Sequence, residues 1–507
     1  VQGTFGERAI EPHRPATLRT VDAIPRIRAR RLEEPNLAQL GRRGLQIATV
    51  TARRILPVVI RQLRQLRNGR LPATVLAEPL RLIFEDLGGT FIKFGQVMAS
   101  SPGMFGEDVA NAFRSCLDTG PPVPFPAVRR RIEDDLGIAL GDAFADFETE
   151  PVGRASIAVV HRARLHDGRR VAVKIIRPGI ERQVATDLDL MQPLLEILVR
   201  ETGDQMAGSV LQLVDGFRVQ VGEEMDLRNE ARSLEYFRRG LAEADFPLLV
   251  VPEPYPELTG PNVLTMELFD GVPIDDLAKV ADWGVDPAPL IEQVVRWFLL
   301  TTVRMGVFHG DIHAGNMLLL RDGRIAIVDW GIVGRLDPDT HHFFLRVLAA
   351  VLGEEEAWTD VTSTLVKIYG PALGEAVGMS NEQMALFIRS LVEPTFTRPF
   401  GEVSLANVMQ AIQAQVTKAQ GIEAHQRSLR AIVRRLRFQR RVRRLADEAG
   451  GLFSDFDRGS FLLGKQLMYF ERYGRLFLRD VPLLNDPEFL RDLLSGARAQ
   501  EQSRPGG

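Results

Sequence analysis

Phe308-His309-Gly310-Asp311-Ile312-His313-Ala314-Gly315-Asn316, followed by Val328-Asp329-Trp330-Gly331, decides how this chain is read. Asp311 can orient or deprotonate a hydroxyl, while Asn316 and Asp329 offer the oxygen donors that a hard cation such as magnesium requires. Between them, the apolar runs Met317–Leu320 and Ile325–Val328 flank Asp322-Gly323. That pattern predicts a tight hairpin, which would bring Asn316 and Asp329 to one end of a ladder. A polar loop capping a helix could hold an Asp and a His, but it has no reason to hold the whole constellation. His309 and His313 are expected to order the loop by hydrogen bonding, because His-x-x-x-His alone is weak zinc evidence.

Phosphotransferases of the protein-kinase-like fold use this arrangement, with an acceptor-orienting Asp, an Asn five residues on, and a later Asp-x-Gly. Such a site also needs a strand lysine for the nucleotide phosphates and a helix carboxylate to hold it. Arg170-Val171-Ala172-Val173-Lys174-Ile175-Ile176 has strand character and presents Lys174 in a Val-Ala-Val-Lys context. Val159–Leu165 and the His166-Asp167-Gly168 turn read as its hairpin partner. Upstream, Pro151-Val152-Gly153-Arg154-Ala155-Ser156-Ile157-Ala158 has no Gly-x-Gly-x-x-Gly, so phosphate must be handled differently from an ordinary kinase.

Further motifs give a specific resemblance. Leu87-Gly88-Gly89-Thr90-Phe91-Ile92-Lys93-Phe94-Gly95-Gln96 resembles the Lys-x-Gly-Gln signature of the UbiB/AarF atypical kinases, which include the coenzyme-Q-biosynthesis kinases. Leu117–Pro124 is similar to the family's Asp-x-x-Pro-Pro-x-Pro segment, and Glu223-Glu224-Met225-Asp226 to its Glu-x-Asp motif; Arg177-Pro178-Gly179-Ile180 also fits. The matches run in the family's order from about Leu87 to Gly334.

The resemblance implies a role for each of these positions. Lys93 and Gln96, from a helical extension, would reach into the cleft where a protein substrate docks, and Glu224 and Asp226 would bind that extension. Glu230 would pair with Lys174. Ala155 and Ser156 would form the alanine-rich loop that stands in for the glycine-rich one. Here Gly153-Arg154 replaces two of the alanines and adds a phosphate-seeking guanidinium, and Val159 stands where Gln is common. His-Gly-Asp and Asp-Trp-Gly lean toward the small-molecule phosphotransferases. Glu267-Leu268-Phe269-Asp270-Gly271 resembles an inter-lobe hinge, with backbone groups of Met266, Glu267 and Phe269 receiving the adenine.

The 507 residues can bury a large core and hold more than one module. Hydrophobic content of 45% and charged content of 25% are ordinary for a globular protein. The single cysteine, Cys116, excludes an intrachain disulfide framework and suits a reducing compartment. No apolar run approaches the roughly 18–20 residues of a membrane span, and no signal-peptide core is seen. Two arginine-rich stretches flank the motifs. One runs from Arg26 to Arg67 and is expected to kink at Pro57; the other, Arg427 to Arg444, carries nine arginines. Basic amphipathic helices can lie on anionic membranes or simply pack their apolar stripe inward. Nucleic acid is not expected, since no aromatic residues interleave the basic ones.

The expected fold is α+β: a bilobal protein-kinase-like fold with an N-terminal helical extension and extra C-terminal helices. Its parts are a basic, partly mobile segment (1–75), the helical extension (76–145), a small lobe (146–268), a large lobe (269–401) and a C-terminal helical region (402–507). The expected activity is that of an atypical kinase or ATPase binding ATP (or ADP) and Mg2+. Asp311, Lys174 and Glu230 are its catalytic candidates, and Asn316 and Asp329 its metal ligands. Candidate partners are anionic membrane lipid or an isoprenoid- or lipid-biosynthesis enzyme complex, reached from the cytoplasm at the inner face of a membrane. The alternatives are a small-molecule phosphotransferase resembling aminoglycoside or choline kinases, and a nucleotide-gated, non-catalytic scaffold.

Overall fold

The computed structural model describes residues 27–62 (without 28, 31 and 33), 73–99, 107–113, 122–202, 205–244, 246–364, several positions between 380 and 393, 458–478 and 486–503. Cys116 and the Arg427–Arg444 stretch lie outside the described residues.

Helices come first: α1 (Leu37–Gln62), α2 (Ala73–Leu87), α3 (Gly89–Ala99), α4 (Glu107–Phe113), α5 (Phe125–Leu136) and the short α6 (Leu140–Ala143). α1 continues as one helix through Pro57. Gly88 and Gly89 both have positive φ, which lets α2 turn directly into α3. The Lys-x-Gly-Gln motif lies on α3, where Gly95 lets α4 come close: a Cβ there would sit 2.7 Å from the Phe113 ring.

A five-stranded antiparallel sheet follows. β1 (Asp146–Phe147) and β2 (Gly153–Arg154) flank β3 (Ala158–Arg164), which pairs with β4 (Arg170–Ile176) and then β6 (Val263–Glu267). Its two faces are distinct. Val171, Val173 and Ile175 of β4 point into a small core with Val128 and Ile132 of α5. Ala172 and Ile176 point into the main core, shared with α3, α7 (Ile180–Thr202), α8 (Gln205–Glu224) and α9 (Leu227–Glu243). Lys174 lies in phase with that second face, because side chains alternate along a strand.

Leu268–Asp270 connect this sheet to a second one, ordered β5 (Leu249–Val250), β10 (Ile325–Ile327), β9 (Met317–Leu320), β7 (Gly271–Pro273). Around it pack α10 (Leu277–Asp282), α11 (Ala288–Leu300), the π-turn 301–305, the two-stranded β8 (Val307–His309)/β11 (Val333–Arg335) and α12 (Pro338–Val351). α13 (Arg458–Phe477) and α14 (Pro487–Ser503) close the molecule against this lobe. The architecture is the bilobal α+β kinase-like fold.

The N-terminal segment expected to be partly mobile has an anchored residue within it. Arg30 N donates to Gly222 O at 2.7 Å, and its guanidinium donates to Asn262 Oδ1 at 2.6 Å. Gly222 permits this approach, since a Cβ there would lie 3.1 Å from Arg30 O. Among the described residues, no helix is long and apolar enough to cross a membrane.

Candidate active site

The hairpin read from the apolar runs forms as β9 and β10, with Gly323 at positive φ in its turn. Val328 N donates to Asn316 O at 2.9 Å, so the ladder brings Asn316 and the strand leading to Asp329 to the same end. Asp329 has φ 61, the one non-glycine among the described residues with positive φ. Short polar side chains tolerate this region better than most. Trp330 beside it is fully buried, donates Nε1–H to Ile327 O at 2.8 Å, and stacks on Phe237 and His309, both at 4.4 Å. That anchor fixes where Asp329 emerges.

Lys174 reaches the same point from β4. Its Nζ lies 2.8 and 3.0 Å from the two carboxylate oxygens of Glu230 and 3.0 Å from Asp329 Oδ1. Glu230 stands on the inward face of α9 with Leu227, Leu234, Phe237 and Leu241, at the 3–4 spacing of a buried helix stripe. Burial alone would lower the pKa of Lys174, but Asp329 and Glu230 overcome it and hold the ammonium well above the ordinary lysine range. Burial pushes Glu230 up to about 7, with Lys174 opposing and Asp329 adding to the rise. For Asp329 the burial penalty is outweighed by Lys174, so its carboxylate stays far below the usual range.

Asp226 has a local structural role. Its carboxylate N-caps α9, accepting from Arg228 N at 3.2 Å, and binds the Arg228 guanidinium at 2.6 and 2.8 Å. These near neighbours engage it, and it starts the helix that carries Glu230. The extension is held by Glu224, whose Oε2 lies 2.6 Å from Lys93 Nζ in a largely buried pair. Gln96, one helical turn from Lys93, is half-buried.

Gly153 and Arg154 sit in β2, paired with Val160 and Val159, so the loop proper begins at Ala155. Ala155 N donates to Ala158 O at 2.9 Å, and Ala155 O accepts from Arg177 Nε at 2.9 Å. Ser156 is buried there. The start of α3 lies against this loop, since a Cβ on Gly89 would be 3.7 Å from Ser156 O. At the hinge, Met266 is buried in β6, but the N–H of Glu267 donates to Glu253 O at 2.8 Å and so is already engaged. Glu267 and Phe269 also border a cavity of about 370 Å³ with Arg238, Glu253 and Arg324, a lining that excludes Lys174 and Asp329.

In the loop from Phe308 to Asn316, which carries the catalytic candidate Asp311, His309 Nδ1 accepts from Asp311 N at 3.0 Å and His313 Nδ1 accepts from Gly315 N at 3.1 Å. Asn316 Nδ2 donates to Asp311 O at 3.1 Å, which turns its amide oxygen into the available donor atom. Burial pushes His309 down to about 4, against the pull of Asp311 and Asp329. Asp311 is itself lowered: the burial penalty is overcome first by Lys465, then by His313. Lys465 Nζ lies 2.7 Å from Asp311 Oδ1.

Lys465 and Gln466 escaped the sequence reading. The helix holding them was legible, but a Lys-Gln pair on its apolar face was the only sign that the face meets polar backbone.

The donor set suits magnesium. Asp329 is ionised with its side chain about half exposed (48%), and Asn316 adds a neutral oxygen. Among the described residues no group of three or more His, Cys, Asp or Glu converges. Two protein oxygens are the sparse set that magnesium uses when phosphates and water supply the remainder.

Several known proteins resemble this chain. Residues 115–360 match the ABC1 atypical kinase-like domain, a segment that holds Lys174, Glu230, Asp311, Asn316 and Asp329. The uncharacterized protein Rv0647c of Mycobacterium tuberculosis is 33% identical over 426 residues, 83% of this chain and 78% of that one. A chloroplastic, uncharacterized aarF domain-containing protein kinase of Arabidopsis thaliana is 32% identical over 430 residues, 83% and 76% of the two chains. A Cellvibrio japonicus protein named "Probable protein kinase UbiB" is 32% identical over 345 residues, 67% of this chain and 60% of that one. A solved structure, the Rv3197–erythromycin complex of M. tuberculosis, aligns at 23% identity over 80% of this chain and 95% of that one. The TM-score is 0.42.

Proposed function

The chain belongs to the UbiB/AarF family of ABC1 atypical kinase-like proteins, and from that premise we propose that it binds ATP with Mg2+ and turns it over by phosphoryl transfer or hydrolysis. The observation that carries this reading is Lys174, held by Glu230 and Asp329 at the mouth of the loop bearing Asp311 and Asn316. Lys174 neutralises and orients the nucleotide phosphates, and Glu230 keeps it aimed. Asn316 and Asp329 would hold a magnesium ion, which when bound would supply charge shielding for the phosphates. Asp311 orients the attacking hydroxyl or water. Lys93, clasped to Glu224, closes the protein-substrate side, so the acceptor is small, and water is one candidate.

We place the reaction at an anionic membrane surface, serving lipid or isoprenoid-quinone metabolism. The support is on α1. Leu45, Leu56 and Ile60 are more than half exposed on one side of the helix, beside exposed Arg42 and Arg53. Apolar side chains rimmed by arginine suit an interfacial helix.

The test is magnesium-dependent ATP turnover by the purified chain, with and without anionic liposomes, alongside Asp311→Asn. Turnover that rises with liposomes and collapses in the variant is expected. Nucleotide binding without turnover in either condition would instead favour a nucleotide-gated scaffold.

A further inference from the structure

One face of α13 meets the catalytic loop residue by residue. A Cβ at Gly310 would lie 3.3 Å from Leu462 Cδ1, so the two segments are in close contact there. Lys465 Nζ is 2.7 Å from Asp311 Oδ1. Gln466 Oε1 accepts from Ile312 N at 2.8 Å, and its Nε2 donates to Ile312 O at 3.2 Å. The Tyr469 ring stands 6.3 Å from that of His313, and Tyr473 OH donates to Ile312 O at 3.3 Å. Positions 462, 465, 466, 469 and 473 share one helix face.

Docking alone does not require Lys465. Gln466 is fully buried and satisfies both backbone groups of Ile312, and Leu462 supplies apolar contact. A lysine only 11% exposed on this face carries a desolvation cost, which its carboxylate partner offsets. The loop's own histidines each turn Nδ1 to a backbone N–H of the loop. The direct cationic contact to Asp311 therefore comes from outside residues 115–360, the segment with the kinase-like match. It fixes Oδ1, while Oδ2 meets no protein donor among the described residues.

We propose that Lys465 is a positioning residue for Asp311: by pinning one carboxylate oxygen it presents the other to the acceptor, which makes the C-terminal helix a working part of the site. This rests on the reading above, in which Asp311 orients the acceptor. Lys465 acts on Asp311 and not on the nucleotide, so its loss should lower kcat and spare nucleotide binding.

The experiment compares wild type, Lys465→Met and Lys465→Arg, first checking that each variant melts cooperatively. Lys465→Met, which keeps most of the side-chain volume, is expected to lower kcat for ATP turnover at least tenfold with KM for ATP within about twofold. Lys465→Arg, which keeps the charge, should recover most of the loss. Turnover equal to or above wild type in Lys465→Met would overturn the proposal, since the helix would then be a passive support or a lock. So would an Arg variant as impaired as Met.

In parallel, the urea stabilities of Lys465→Met, Asp311→Asn and the double variant should be non-additive, as for directly coupled side chains. Additive stabilities in an active enzyme would sink this inference alone. A wild-type chain with a coupled pair but no turnover would sink the functional reading, and the positioning role with it.

Discussion

His309 makes the stability of this protein depend on pH in a way that one substitution can isolate. Its ring is buried between Trp330 and the catalytic loop, and burial holds it at about 4 instead of the ordinary 6.5. The unfolded chain therefore takes up this proton first. Stability from the neutral ring is complete above about pH 6.5 and is lost as pH falls toward 4. At about 1.36 kcal/mol per pH unit the full effect is about 3 kcal/mol, and about 2 kcal/mol is gone by pH 5.

Glu230 acts with the opposite sign. It ionises near 7 in the folded state and near 4.5 when free, so on acidification the folded chain takes up its proton first. Between pH 8 and pH 5 that adds about 2–3 kcal/mol. Over this range the two buried groups therefore oppose one another.

His309→Asn keeps an acceptor for Asp311 N and removes the titration. Packing losses in this variant do not depend on pH. Measured by urea unfolding with tryptophan fluorescence, the variant should gain about 2 kcal/mol relative to wild type between pH 8 and pH 5. Parallel profiles for the two proteins would refute the argument that burial holds His309 neutral.

Other substitutions probe separate parts of the site. Asp329→Asn keeps a side chain suited to the left-handed backbone while removing the charge, so magnesium-dependent nucleotide affinity, read by calorimetry, should fall at least about tenfold, or about 1.4 kcal/mol. Asp226→Ala should cost about 0.5–2 kcal/mol through loss of the α9 cap, and Asp226→Asn should recover most of it in thermal melts. Gly95→Ala forces a methyl against the Phe113 ring and should destabilise the chain by about 1–3 kcal/mol in the same assay.

Several parts of the fold and site were legible because their signals are local. The strand character of Arg170–Ile176 and its Val-Ala-Val-Lys context placed Lys174 on a strand, and Asp322-Gly323 between apolar runs placed Asn316 and Asp329 at one end of a hairpin. The resemblance supplied the Lys93–Glu224 association, which no spacing could have derived. It could not show that Asp226 caps the helix carrying Glu230, because a capping carboxylate and a carboxylate that grips a distant lysine look alike in sequence. Arg30 was read as part of a mobile tail, since nothing in its neighbourhood announces Gly222, nearly two hundred residues away.

The sequence by itself determined the residue types of a phosphotransferase, their order along the chain, and the hairpin that groups two of them. Tertiary structure alone decided that Lys465, on a helix 154 residues beyond Asp311, stands 2.7 Å from its carboxylate. Periodicity records which face of a helix is apolar, but not which loop that face will meet. That choice is made by the packing of α13 against the large lobe, where burying Leu462, Gln466 and Phe470 sets the helix in place and carries the lysine with it.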